Sequence, residues 1–367
     1  MRIVCTQENL ARGISLVSKS VGKDANLPVL ANVLIEARKG IIKISATNLE
    51  IGTTCIIRGK IEKEGSITIP AQLLQNYIVS LPKNNILLSV ENNVVKISCD
   101  SYTGEINGIA ANEFPLIPKI DCESFCSVNT SLLKDALDKV VFSAARDEMR
   151  PEISGVYLNA KGGKLRLAAT DSYRLSEVTI DLLKDNGKET AMVIPVFTMQ
   201  ELSKILDEGA SHVEIFTMEN QVKIVADDVI LVSRLVEGQY PDYLKIIPKD
   251  FTTVLEIHKG NFIKAIKTTS LFAKTDTNEL KMKADSTKKE IELSAESGKI
   301  GKNITKLACG FNGNDTEVIF NSKYLLEGLN SINFDVVKMQ LLGDSGPGMI
   351  FGKEEAGHFY IVMPIKK

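Results

Sequence analysis

Few side chains in this sequence combine the residue types and the spacing that catalysis requires. The three histidines, His212, His258 and His358, each stand alone in a polar or strand-like context, without a partner that would complete a catalytic set. Asp171 could act as a general base beside Arg174, but no nucleophile or metal ligand accompanies it. We expect structural or surface histidines, and an aspartate that caps a turn.

A glycine-rich stretch at residues 343–348, GDSGPG, has the composition of a phosphate-binding loop. It lacks the lysine followed by serine or threonine, and the helix, that a P-loop requires. The dinucleotide-binding glycine fingerprint and the GxSxG and HExxH motifs are also missing from the sequence. A hairpin loop is the favoured interpretation of this stretch.

The six cysteines are scattered without a CxxC pair. Cys122 and Cys126 lie close together, but no histidine or second pair stands near them to complete a zinc site. No apolar run is long enough to cross a bilayer, and the start of the chain shows no signal-peptide pattern. The sequence therefore predicts reduced, mostly buried thiols, no metal, no cofactor, no membrane partner and a cytoplasmic location.

With catalytic, phosphate-binding and metal sites set aside, binding of another molecule is the function that remains to be considered. Residues 164–169 alternate as a half-buried strand, and Thr170-Asp171-Ser172 then interrupts it with side chains that favour turns. Residues 361–365 form an apolar run that could be a plain last strand. Met363, however, offers an adaptable surface, and Pro364 cannot continue strand pairing, so we expect Ile365 to leave the sheet.

The turn after residue 169 belongs to a pattern that occurs three times. Ala-Thr-Asp at 169–171 has counterparts in Ala-Thr-Asn at 46–48 and Ala-Glu-Ser at 295–297, spaced by about one third of the chain. Each third begins with a helical pattern, such as Leu10, Ile14 and Val17, and continues with strands, a second helix and more strands. The sequence is a diverged triplication, and its hairpin spacing predicts antiparallel sheets and an α+β fold.

Length and composition are those of a multidomain globular protein. The 367 residues suit two or three domains, and prolines near 115 and 241 place boundaries that give domains 1–121, 122–247 and 248–367. The formal net charge is -2, from 44 basic and 46 acidic residues. This balance does not indicate a nucleic-acid partner, although it allows local basic patches.

Several blocks, in this order, resemble one family over the whole chain, the beta subunit of bacterial DNA polymerase III. They are LPVLAN at 27–32, FP at 114–115, ATDSYRL at 169–175, YPDY at 240–243 and VMPI at 362–365. The resemblance implies a DNA-clamp fold: three repeated domains, each with two helices and antiparallel sheets, together forming half of a ring. It also implies a non-catalytic sliding clamp that makes the replicative polymerase processive.

In the family the C-terminal run and the ATDSYRL turn form one groove for short peptides. Such peptides come from the polymerase alpha subunit, the clamp loader delta subunit and other polymerases or repair proteins. Tyr173 and Lys245 replace residues that are commonly histidine and arginine. Carried over residue by residue, the groove comprises Ile153, Thr170, Ser172, Tyr173, Arg174, Leu175, Pro241, Lys245, Ile246, Asn321, Tyr324, Ile361, Val362, Met363, Pro364 and Ile365.

The resemblance further implies a head-to-tail homodimer that closes around duplex DNA. It places Leu271 and Phe272 of one subunit against a strand around Ile106 of the other. From the sequence alone, Leu271 and Phe272 could equally be ordinary core. The candidate DNA contacts are Lys23, Lys139, Arg146, Arg150, Lys204 and Lys267.

Two other classes of protein remain open. A monomeric α+β enzyme would need a catalytic constellation that the sequence does not show. A repeat scaffold that binds peptides but not DNA is compatible with the absence of a basic surplus. Mass in solution, together with retention on circular but not linear DNA, would separate these alternatives from a clamp.

Overall fold

The computed structural model describes residues 1–22, 27–147, 149–206, 210–298 and 300–366. Within these residues the chain forms two α-helices in each third, as the repeat predicts. They are α1 (Gln7–Val17), α2 (Ala71–Ser80), α3 (Thr130–Val140), α4 (Val196–Leu206), α5 (Lys259–Ser270) and α6 (Ser322–Asn330). Short 3₁₀ helices span Ser18–Ser20, Pro28–Ala31, Ala111–Glu113, Val141–Ser143, Pro151–Ile153 and Tyr243–Ile246.

Nine strands lie in each third of the described chain. The first third has β1 (Arg2–Thr6), β2 (Asn32–Arg38), β3 (Ile41–Thr47), β4 (Ile51–Ile57), β5 (Lys60–Lys63), β6 (Gly65–Pro70), β7 (Asn85–Glu91), β8 (Val94–Cys99) and β9 (Tyr102–Asn107). The second has β10 (Cys126–Asn129), β11 (Gly155–Lys161), β12 (Lys164–Thr170), β13 (Arg174–Asp181), β14 (Lys184–Asp185), β15 (Thr190–Pro195), β16 (His212–Met218), β17 (Gln221–Ala226) and β18 (Val229–Arg234). The last has β19 (Thr253–His258), β20 (Glu279–Asp285), β21 (Glu290–Ser297), β22 (Gly301–Ala308), β23 (Gly310–Gly313), β24 (Thr316–Asn321), β25 (Val336–Leu341), β26 (Gly348–Gly352) and β27 (His358–Val362).

The strands pair antiparallel, which confirms the predicted α+β class. One expectation was wrong. Each third begins with a short strand, β1, β10 or β19, and the helix follows it. These strands pair with β7, β16 and β25, which are distant in sequence, so the local pattern gave no sign of the partner that makes them strands.

The chain folds into two compact units. The first contains Met1–Ser131, Leu182–Lys188 and Phe197–Leu235, and the second contains Leu132–Asp181, Glu189–Val196 and Val236–Lys367. In the first unit the sheet orders are β5-β1-β7-β8-β9 and β14-β10-β16-β17-β18-β4-β3-β2-β6. In the second they are β15-β11-β12-β13-β27-β26-β25-β19-β23 and β22-β21-β20-β24.

The middle third of the sequence supplies strands to both units. Strands β10, β14 and β16 to β18 join the first, whereas β11 to β13 and β15 join the second. Two spatial units therefore do not correspond one to one with three sequence repeats. The predicted domain boundaries, after residues 121 and 247, stay a prediction.

The C-terminal strand β27 packs on the core of the second unit. Phe262 of α5 and Leu325 and Leu329 of α6 are fully buried in one cluster with Tyr360 of β27. A side chain at Gly328 would clash with the Tyr360 ring, so glycine is needed where α6 crosses β27. The Tyr360 hydroxyl also donates to the Tyr324 carbonyl at 2.9 Å, so β27 is tied to α6 just before the C-terminal tail begins.

The predicted hairpin loop is confirmed. Residues 342–347 connect the paired strands β25 and β26, so the glycine-rich stretch lies in a hairpin loop. Asn92 and Asn93 adopt positive φ angles of 46° and 62° between β7 and β8. Glu219, between β16 and β17, has a φ of 54°. Asparagine tolerates this left-handed region better than most residues, so Asn92 and Asn93 suit the turn between β7 and β8.

Candidate functional site

The turn between β12 and β13 is held by its own polar side chains. Asp171 Oδ1 accepts the backbone N–H groups of Tyr173 and Arg174, each at 3.0 Å. Thr170 Oγ1 accepts the Ser172 N–H at 3.1 Å and donates to the Arg174 carbonyl at 2.6 Å. Ser172 has a left-handed φ of 75°. Asp171 therefore acts as a turn cap, as expected from the sequence.

The Arg174 side chain donates hydrogen bonds to three groups of the protein. Its Nε donates to Asp171 Oδ2 at 2.9 Å, Nη2 donates to the Phe142 carbonyl at 2.9 Å, and Nη1 donates to Glu327 Oε2. Its Cζ lies 4.5 Å from the centre of the Tyr324 ring. With 10% of the side chain exposed, the guanidinium holds the turn against α6.

Helix α6 presents an aromatic ring next to this turn. Asn321 caps the helix, and its Oδ1 accepts the N–H groups of Lys323 at 2.9 Å and Tyr324 at 3.4 Å. Tyr173 stacks on Tyr324 with ring centres 6.4 Å apart and planes 26° apart. Tyr173 is 64% exposed, so an aromatic surface faces solvent at this edge of the site.

The C-terminal tail is fixed beside the turn. Strand β27 pairs with β13, where Leu175 lies opposite Ile361. Beyond the strand, the Met363 N–H donates to the Tyr173 carbonyl at 2.8 Å. As expected, Ile365 lies beyond the end of β27 and in no strand, although its N–H donates to the Ile319 carbonyl of β24 at 2.8 Å. Pro364, which has no N–H, lies between these two anchor points.

The predicted groove residues all belong to the second unit, but they differ in exposure. The buried ones are Ile153, Thr170, Leu175, Ile361 and Val362. The partly exposed ones are Arg174, Asn321, Tyr324, Met363, Pro364 and Ile365. The exposed ones are Ser172, Tyr173, Pro241, Lys245 and Ile246. We call the buried set the floor and the other two sets the rim.

The floor continues into a cluster of tyrosines that sequence reasoning did not assign a role. Tyr240 and Tyr243 are buried together with Leu175 and Ile361. The Tyr243 hydroxyl donates to Glu177 Oε2 at 2.6 Å. Burial raises the pKa of Glu177, although the bond from Tyr243 opposes that shift. The YPDY block signalled that these tyrosines matter, but no local pattern points to Glu177 as their partner.

Among the candidate DNA contacts, Lys139 does not fit. It is 9% exposed, and its Nζ bonds Asp135 at 2.7 Å and Glu355 at 2.8 Å. Burial by itself would lower the pKa of Lys139, but the bonds to the two carboxylates outweigh it and raise the pKa above its usual value. A phosphate would have to replace both bonds, so we withdraw Lys139 as a DNA contact.

The other candidate cations are more accessible. Arg146 and Lys267 are exposed, and Lys204 is exposed but bonds Glu201 at 2.6 Å. Arg150 bonds Glu152 at 3.1 Å and donates from Nη1 to Ser172 Oγ at 2.6 Å, so it lies at the rim of the groove. Lys23 lies outside the described residues.

The candidate dimer contacts lie at sheet edges. Ile106 is 6% exposed in β9, which ends its five-stranded sheet. Leu271 is 71% exposed, so it is not an ordinary core residue, and Phe272 is half-buried. The side chain of Thr269, near the end of α5, donates to Asn303 Oδ1 of β22 at 3.0 Å. Leu271 and Phe272 thus follow the helix end held to the edge strand of the four-stranded sheet.

The remaining sequence expectations concern metals, thiols and membranes. Within the described residues, no group of three or more histidine, cysteine, aspartate or glutamate side chains is arranged to hold a metal ion. The cysteines are free and four of them are buried, and burial raises the pKa of Cys5 and Cys126 to about 12. No helix in the described part of the chain is long and apolar enough to cross a membrane.

Comparison with known proteins gives consistent matches along the chain. Models of the DNA polymerase III beta subunit match in order, with the N-terminal domain at residues 1–118, the central domain at 127–242 and the C-terminal domain at 244–366. The beta sliding clamp of Synechococcus elongatus is 28% identical and that of Bacillus subtilis 27%. The alignments cover 100% of this chain and 99% and 100% of those proteins, respectively.

Solved structures agree. The DNA polymerase III beta subunit of Thermotoga maritima matches with a TM-score of 0.94 and the Bacillus subtilis sliding clamp with 0.95, both at 27% identity. Each match covers 100% of this chain and 99% of the other. A Bartonella birtlesii sliding clamp bound to griselimycin matches with a TM-score of 0.92 at 27% identity over the full length of both chains.

Proposed function

We infer that this chain, which belongs to the DNA polymerase III beta subunit family, is a sliding clamp that confers processivity on the replicative DNA polymerase. The observation that carries this inference is the full-length structural match to sliding clamps, which spans all three repeats. We further propose that it encircles duplex DNA in the cytoplasm as an accessory subunit of the polymerase III holoenzyme. An enzymatic role has little support, because Asp171 and Arg174 are engaged in holding the turn.

The function is tested by comparing retention of the protein on circular and on linear DNA. The purified protein, loaded by a clamp loader, should be retained on nicked circular duplex DNA and lost once the circle is made linear, because a ring can slide off an end. Equal retention on both forms would mean that the protein binds DNA without encircling it. Loss from both forms would favour the peptide-binding scaffold.

We propose that phosphate contacts from Arg146, Arg150, Lys204 and Lys267, and from Lys23, guide the duplex. Such contacts release condensed counterions and do not depend on sequence, as sliding requires. Arg146→Glu should therefore weaken binding to two unrelated duplexes equally and flatten its salt dependence. Lys245→Glu is the control, because that exposed lysine lies at the groove and pairs with Asp242 at 2.9 Å. An unchanged salt slope would remove Arg146 from the contact set.

We propose that the ring is a head-to-tail homodimer joined at sheet edges. Strands β9 and β22 each end a sheet, so each offers unpaired backbone groups to another chain. The exposed Leu271 and its neighbour Phe272 lie beside β22 and would supply the apolar anchor. A heterologous contact of this kind closes when two copies complete one turn.

The interface is tested by the double variant Leu271→Ala with Phe272→Ala. We expect folded monomers in light scattering at sub-micromolar concentration, because large apolar side chains dominate interface energies. Leu183→Ala is the matched control, since Leu183 is 63% exposed and lies outside the proposed contact. Full dimer in the double variant would remove the assignment of Leu271 and Phe272.

We propose that the groove docks short peptides of the polymerase alpha subunit, the clamp loader delta subunit and other polymerases and repair proteins. The support is its construction: a buried apolar floor, an exposed rim and a tail fixed by the Met363 and Ile365 N–H groups. The Bartonella birtlesii relative was solved with griselimycin bound, which supports a ligand-binding surface in this family. The deletion described in the Discussion tests this assignment.

A further inference from the structure

One edge of the groove rim combines an exposed ring with a half-exposed carboxylate. Tyr173 is 64% exposed and stacks on the half-buried Tyr324. Glu327 follows Tyr324 by one helical turn, and half of its side chain, 50%, is exposed. We call Tyr173, Tyr324 and Glu327 the aromatic edge.

Among the bonded groups at the aromatic edge, carboxylates outnumber cations two to one, while the exposed Lys323, one helical turn before Glu327, adds a further cation nearby. Arg174 is the one cation bonded to both Asp171 and Glu327, so two carboxylates share one guanidinium. Asp171 uses Oδ1 for two backbone N–H groups and Oδ2 for Arg174, whereas Glu327 bonds Arg174 through Oε2. The exposed half of Glu327 is therefore the part of this pair that an incoming group can reach.

The same contacts make the edge a poor receptor for an anion. Each of the three guanidinium nitrogens of Arg174 already donates to a group of the protein. The next cation along the rim, Arg150, is bonded to Glu152 and Ser172. An acidic side chain of a docked peptide would compete with Asp171 and Glu327 for the guanidinium and would approach the Glu327 carboxylate.

We propose that the aromatic edge receives a positively charged side chain, arginine or lysine, of the docked peptide. This inference rests on the proposed peptide-docking function and names the chemistry that the groove selects. The cation would lie against the Tyr173 ring, whose face is electron-rich, and bond the exposed part of Glu327. A neutral aromatic side chain could stack on Tyr173 but would make no ion pair with Glu327.

The test compares peptides in matched pairs by fluorescence anisotropy. All carry a glutamine and a leucine–phenylalanine pair, which the resemblance to the family implies for docked peptides. In each pair, one has an arginine next to this motif, placed in turn on either side, and the other has the neutral isostere citrulline there. We expect the arginine peptide to bind about three- to tenfold more tightly, as a cation–π contact and a partly exposed ion pair allow.

Substitutions in the protein show which side chains produce the preference for the arginine peptide. Tyr173→Phe keeps the ring and should keep the preference for arginine, whereas Tyr173→Ala should reduce it to less than about twofold. Glu327→Gln should also reduce it, and thermal unfolding checks that this variant stays folded. Lys323 precedes Glu327 by one helical turn, so Lys323→Ala removes a competing cation and should leave the preference equal or larger.

The outcomes separate this inference from the function on which it rests. If neither peptide binds, the groove assignment itself fails. If both bind with equal affinity at low salt, the groove stands and the proposed selection of a cation is overturned. A preference that survives both Tyr173→Ala and Glu327→Gln would likewise overturn it, because the cation would then bind elsewhere.

Discussion

The floor and the rim of the groove lie next to each other but are built differently. Floor residues such as Leu175 and Ile361 are each 1% exposed and face each other across the paired strands β13 and β27. Rim residues such as Tyr173, Ile246 and Met363 come from a turn, a 3₁₀ helix and the tail. The floor is therefore part of the folded core, whereas the rim is available to a partner. Substitutions in the two sets should affect different measurements.

The largest effect is expected in the floor. Leu175→Ala removes a buried side chain from the cluster with Tyr240 and Tyr243, and should lower the free energy of unfolding by about 2–5 kcal/mol. Urea denaturation measures this. Ile246→Ala is the rim control, because Ile246 is 54% exposed and should change stability by less than about 0.5 kcal/mol. Similar losses from both substitutions would remove the distinction between floor and rim.

The next largest effect is expected from the tail. Deleting residues 363–367 removes the rim side chains Met363, Pro364 and Ile365 but leaves β27 and its pairing with β13 in place. We expect the fold and the dimer to persist. Peptide binding should weaken more than about a hundredfold, since two buried apolar contacts contribute about 1.5–3 kcal/mol each. Calorimetry that finds unchanged peptide affinity would move the docking site elsewhere.

The smallest effect is a change in pH dependence at Glu177, which lies beneath Tyr243. Burial raises the pKa of Glu177 in the folded protein above its usual value of 4.5, so the unfolded chain loses this proton first. Ionisation therefore favours unfolding, and the stability contribution of Glu177 is lost as pH rises from 4.5 through the raised pKa. Glu177→Gln should remove that loss, because its amide oxygen can still accept the Tyr243 hydroxyl.

Denaturation of this variant from pH 4.5 to neutral pH gives the measurement. Glu189→Gln serves as the opposite case, since the bond from Lys161 lowers the pKa of exposed Glu189. A Glu177→Gln variant whose stability declines with pH as steeply as that of the unaltered protein would show that Glu177 is not the group responsible.

Local patterns predicted the parts of the site that are held by local contacts. Asp171 caps its own turn, so a few neighbouring residues were enough to identify its role. Lys139 shows where this fails. It was a candidate DNA contact, but Glu355, which balances its buried charge, lies 216 residues further along the chain. Sequence neighbours also left open whether Leu271 is buried or exposed, because that depends on the position of β22 at the edge of its sheet.

The division of the middle repeat between two sheets has a consequence for any attempt to dissect the protein. A clone that encodes the first repeat alone would end its larger sheet at β4, leaving open the backbone groups that normally bond β18. A clone of the last repeat alone would expose β27 in the same way, where β13 is missing. Such fragments should aggregate through these unprotected strands. Shuffling whole repeats between homologues would likewise require compatible partners at both junctions.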